Sequence, residues 1–87
     1  MKLDSHHRTT LEKIFEHPGG HNIEWHDVLS LLEGLQAVTR EHDGRLRVAL
    51  GSATEMFDPH GRDLDEQQVV DLRRMLRNAD ITPEETD

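Results

Sequence analysis

The sequence predicts an α+β domain in the order helix, helix, three-stranded antiparallel sheet, helix, with one face of the sheet open. Three observations carry that expectation. The segment NIEWHDVLSLLEGLQ repeats apolar residues at helical spacing: Trp25, Val28, Leu29, Leu32 and Leu35, with Leu31 widening the stripe. Asp43-Gly44 and Gly51-Ser52 separate segments that read as strands, of which RLRVAL alternates most cleanly. A second helical stripe follows, made of Val69, Leu72, Leu76 and Ala79, with Val70 and Met75 beside it.

The elements follow in order. SHHRTTLEKIFEHPGG reads as the first helix, with Leu11, Ile14 and Phe15 on one face. Thr9 and Glu12 have the spacing of a capping box, and Ser5 offers an earlier start. His17, Pro18, Gly19 and Gly20 end it. The second helix spans about residues 24–33, with Gly34 as its stop and Trp25 as a core anchor. The hairpin VTREHDGRLRVALG and the strand ATEMF make a meander, which PHGRD breaks. In the last helix Asp63 and Glu66 have capping-box spacing. Acids crowd its start and Arg73, Arg74 and Arg77 its second half, a polarity that suits the helix dipole. ITPEETD reads as a tail, with Ile81 able to pack back.

The 87 residues suffice for one domain, 1–87: a helix and turn over 1–20, a core over 22–81 and a flexible tail over 82–87. A core this small gives a stability on the order of a few kcal/mol. With no cysteine there is neither a disulfide nor a thiolate metal site, which fits a reducing cytoplasm. MKLDSHHRTT lacks the apolar run of a signal peptide, and no stretch approaches the ~20 apolar residues of a membrane span. Eighteen acids against ten bases, a net charge of −8, argue against wholesale wrapping of nucleic acid or an anionic membrane. A local basic patch remains compatible with that total, because screening confines fields to ~8–10 Å.

Such a patch is expected on the meander. If both turns hold two residues, His42 faces Arg45, Arg40 faces Arg47 and Val38 faces Ala49. Across the second turn Leu50 faces Ala53, Val48 faces Glu55 and Leu46 faces Phe57. Ala37, Leu46, Val48, Leu50, Ala53 and Phe57 then share the face buried by the helices. Arg40, His42, Arg45 and Arg47 share the other, with Val38, Ala49, Thr54 and Met56. Guanidinium forks suit phosphate and carboxylate, so Arg40, Arg45 and Arg47 are the candidate anion-binding residues. The same arginines also fit a plain solvated face, partly paired with Glu41 or Glu55.

Other constellations carry less. Of the seven histidines, His17, His21 and His26 are near in sequence, but a Pro-Gly-Gly turn separates the first two and no zinc spacing matches. They read as surface histidines, and no metal or other cofactor is expected. Ser52 lacks a G-x-S-x-G elbow and reads as a turn residue, and HPGGH lacks the lysine of a phosphate loop.

The stretches NIEWHDVLSLLEGL, EHDGRLRVAL, FDPHGRDL and VVDLRRMLRNADITPEE, together roughly residues 22–85, resemble the HicA-like (YcfA-type) toxins of toxin–antitoxin systems. The resemblance rests on order and spacing. It implies a double-stranded-RNA-binding-domain-like α-β-β-β-α core, to which the first helix is an N-terminal addition. It further implies an mRNA interferase neutralised by a HicB-type antitoxin. The family's catalytic histidine lies in a Gly-Ser-His motif at the start of the second strand. The corresponding stretch here is Asp43-Gly44-Arg45, so Arg45 stands in the histidine's place. His60 matches a proline-histidine pair that ends the family's third strand and reads as a turn residue.

The expectation is therefore a HicA-like protein that binds RNA through Arg40, Arg45 and Arg47, with nuclease catalysis lost or transferred to His42 as acid–base. The alternative is a non-catalytic module of the same fold, taking an acidic or antitoxin-like protein on its sheet. A homo-oligomer formed through an exposed edge strand is a third reading.

Overall fold

The computed structural model describes residues 3–16 and 23–84. It is a small α+β domain. Helices α1 (Ser5–Phe15) and α2 (Trp25–Gly34) precede strands β1 (Val38–Arg40), β2 (Leu46–Leu50) and β3 (Ala53–Phe57), and α3 (Glu66–Asn78) follows. The sheet is antiparallel in the order β1-β2-β3. Among the described residues no helix is long and apolar enough to cross a membrane. The His17–Gly20 stop, His21 and the last three residues of the tail lie outside the described residues.

One core joins all six elements. Leu11 and Ile14 of α1, Val28, Leu31 and Leu32 of α2, and Val69, Leu72, Met75 and Leu76 of α3 meet Leu46, Val48 and Leu50 of β2 and Phe57 of β3. The strict in-out burial of β2 leaves its other face to solvent. Trp25 is buried, as its spacing predicted, with its ring edge-on to Phe57 at 6.1 Å.

Helix ends differ from the expected ones in instructive ways. Asp4, not Thr9, caps α1, its side chain accepting from the His7 amide at 2.8 Å. Thr9 instead turns its hydroxyl back to the Ser5 carbonyl within the helix. In α3 the capping box is Asp65 with Gln68, two residues on from the expected pair. Asp63 is occupied elsewhere, bridging to Glu24, so that the Trp25 amide donates to the Arg62 carbonyl and the Leu64 amide to the Ile23 carbonyl, both at 2.9 Å.

Both α2 and α3 end in Schellman motifs. After α2, Gln36 is left-handed (φ 57°) and Ala37 donates to the Leu32 carbonyl at 2.9 Å. After α3, Asp80 is left-handed (φ 62°) and Ile81 donates to the Leu76 carbonyl at 2.8 Å, which packs Ile81 back on the core. Gly34 therefore does not stop α2; it is the helix's last residue.

The second hairpin has the expected register, Leu50 opposite Ala53 and Leu46 opposite Phe57. The first does not. Val38 pairs with Val48, Thr39 with Arg47 and Arg40 with Leu46. The turn holds three residues, His42, Asp43 and Gly44, because Glu41 pairs with Arg45 through a 2.8 Å amide bond. Gly44 adopts φ 90°, the left-handed conformation that closes a three-residue loop. One extra loop residue flips every side chain of β1 to the opposite face.

Candidate functional site

The free sheet face is the surface the helices leave uncovered. Its members are Thr39 from β1, Arg47 and Ala49 from β2, and Thr54 and Met56 from β3, all exposed. Met56 sits directly across from Arg47 and is 42% exposed, a large apolar side chain in a setting of small ones. Arg45, Glu41 and Asp43 border this face at the first hairpin.

The expected four-residue cationic cluster is not assembled there. Arg40, paired with Leu46, points to the helix side of the sheet, where its guanidinium lies 3.4 Å from Glu33 of α2. His42 is an exposed loop residue and does not face Arg45 across strands. Arg45 and Arg47 do share the open side, each beside a carboxylate: Arg45 Nε is 2.8 Å from Asp43 and Arg47 Nε is 3.4 Å from Glu41. The physical cause is the register. Alternation is measured from the turn, so the three-residue loop moves Arg40 and His42 off the face that holds Arg45 and Arg47.

Among the described residues Asp43 is the group whose titration is displaced. It accepts the Arg45 backbone N–H at 3.1 Å, and this bond, reinforced by the Arg45 side chain, holds its carboxyl below its ordinary value. Its shift thus reflects the turn itself.

Three features lie outside what spacing suggested. The first is a chain of polar contacts between α1 and α2. His7 Nε2 is 2.9 Å from Ser30 Oγ, and Asp4 Oδ2 is 3.6 Å from His7 Nδ1. The order acid, histidine, serine invites comparison with a hydrolase triad. Ser30 lies within α2, however, where backbone N–H groups are spent on the helix and none is free to hold an oxyanion. The contact ties helix to helix.

The second is Arg73, which is only 6% exposed. Its Nε donates to the Ile14 carbonyl at 2.8 Å, at the C-terminal end of α1. The signal was present: position 73 falls on the stripe of Val69, Leu72 and Leu76 at helical spacing.

The third is a pocket of about 230 Å³ between α2 and the first hairpin, walled by Trp25, Leu29, Leu46 and Pro59, with Arg40 and Glu41 in its lining. Among the described residues no three of His, Cys, Asp and Glu converge as a metal site would require.

No family model matches this chain, and neither a curated protein nor a solved structure does.

Proposed function

We propose that the protein is a non-catalytic binding module that takes a protein partner on its open sheet face. The carrying observation is the composition of that face. Met56 lies at 42% exposure among Thr39, Ala49 and Thr54, with arginines at one end. An apolar and hydroxylated centre, with two arginines each beside a carboxylate at one end, suits a partner surface with an apolar contact and acidic residues that take the arginines over from Asp43 and Glu41. The arrangement α2-β1-β2-β3-α3 keeps the element order of a double-stranded-RNA-binding-like core. On the HicA-like reading, the acidic partner is an antitoxin-type protein. The setting is the cytoplasm, which a cysteine-free chain suits.

RNA is the second reading, and one observation favours it. Arg45, just before β2, and Arg47 within it lie at alternate positions on the same side and are each about half exposed. A phosphate there would displace Asp43 and Glu41. With about two such contacts the affinity would fall only gently with salt.

Site-specific photo-crosslinking in cells separates these readings. A benzophenone side chain replaces Met56, and in a control replaces Val70, the comparably exposed apolar residue of α3. The proposal expects a discrete protein adduct at position 56 and none at 70. Adducts that disappear on nuclease treatment would establish the RNA reading instead. Equal or no adducts at the two positions would overturn the sheet face as the binding surface.

A further inference from the structure

The pocket between α2 and the first hairpin lies on the helix side of the sheet and meets the border of the open face at Glu41. Its walls are apolar: the Trp25 indole, Leu29, the buried Leu46 side chain and Pro59. Its volume of about 230 Å³ is below the roughly 300–1,000 Å³ of drug-sized sites. It suits one bulky apolar group, not an extended ligand.

One polar feature gives the pocket a preferred charge. The Arg40 side chain in its lining is 66% exposed, and its contact with the exposed Glu33 is 3.4 Å, a loose surface pair that a better-placed anion can replace. Glu41, the one acid of the lining, lies 3.4 Å from Arg47, and His26 is the other titratable group there. Apolar walls beside Arg40 therefore favour an anion attached to an apolar body.

We propose that this pocket binds small apolar carboxylates, compounds with one aromatic or branched aliphatic group and one carboxylate. The apolar group packs against Trp25, Leu29 and Leu46, and the carboxylate takes Arg40 in a bidentate pair in place of Glu33. The three-residue turn is what makes the site: with a two-residue turn Arg40 would point to the other side of the sheet.

The test uses the chain's single tryptophan, whose indole N–H gives one NMR cross-peak. Phenylacetate is titrated into the full chain, with phenylacetamide as the neutral isostere. The expected result is a saturable shift of the Trp25 indole peak at millimolar phenylacetate, and at least tenfold weaker binding of the amide. Arg40→Gln, an exposed substitution that leaves the core intact, should reduce phenylacetate to the level of the amide. Arg62→Gln, at a 79% exposed side chain outside the pocket lining, should change nothing. Absence of a saturable shift would overturn the proposal. Equal binding of acid and amide, or undiminished binding by Arg40→Gln, would overturn it too.

Discussion

The His7 ring occupies the space that a side chain at Gly34 would need: a Cβ placed on Gly34 would come within 2.8 Å of His7 Cε1. The ring cannot readily swing away, because its Nε2 is held by Ser30 at 2.9 Å. Gly34 is thus glycine so that α1 can lie close to α2. Gly34→Ala should lower stability in the native background despite alanine's better helix propensity. In a His7→Ala background the same change should raise stability by ~0.5–1 kcal/mol, the propensity difference alone. A chemical-denaturation cycle on the four proteins would read the reversal of sign.

Arg73 carries its positive charge into the interior to meet the carbonyl end of α1. Arg73→Met keeps much of the packing and removes the donor, leaving the Ile14 carbonyl without that bond. The expected loss is about 2–3 kcal/mol. In a domain this small each kcal/mol lowers the Tm by roughly 4–8 °C. Arg74→Met is the comparison. That neighbour makes exposed contacts of 3.3 Å with Glu55 and Asp71, and its loss should stay within about 0.5 kcal/mol.

Gln36 and Asp80 hold left-handed conformations at φ 57° and 62°, where a Cβ is strained. Glycine is free there. Gln36→Gly and Asp80→Gly should each stabilise the fold by about 0.5–1 kcal/mol, with additive effects because they end different helices. Thermal melts of the two single variants and the double variant would check both sign and additivity.

Asp43 links the first turn to acidity. Its folded-state pKa is depressed, chiefly by the Arg45 backbone N–H. The contribution to stability is therefore present above the ordinary value of 3.8 and lost as pH falls through the lower folded value. A carboxyl-carbon NMR titration should give a midpoint under 3.8. Arg45→Ala keeps the backbone donor, so the midpoint should stay under 3.8 in that variant. A midpoint at or above that value in the native chain would contradict the turn geometry.

The second hairpin, the helix stripes and the buried Trp25 were legible because each rests on a local pattern with one consistent solution. Gly51-Ser52 admits a two-residue turn that puts Leu50 and Phe57 on the same face. Asp43-Gly44 was ambiguous. The dipeptide serves a two-residue loop, or ends a three-residue loop that begins at His42, and both are sound local chemistry. Hydrophobic alternation does not decide between them, since the actual register sets Val38 against the buried Val48 but Arg40 against the buried Leu46. That pairing is tolerable because β1 ends at the rim, where an arginine stem covers apolar surface while its head reaches water. A pattern reading treats arginine as wholly polar and so chooses the other face. The same simplification hid Arg73, which sits on the apolar stripe of α3, and placed a stop at Gly34, whose role depends on a residue in another helix.

The bridge between Glu24 and Asp63 has a kinetic consequence. It joins the chain just before α2 to the chain just before α3, and so encloses α2 and the entire meander in one loop. Both hairpins can zip from their own turns, over a handful of residues each. The bridge must wait for the ends of a far longer segment to meet, at a correspondingly greater entropic cost. Loop-closure entropy thus predicts an order of folding set by distance along the backbone: turns first, then the clasp that aligns the starts of α2 and α3. The Trp25 and Leu64 amides, donors in that clasp, mark its closure.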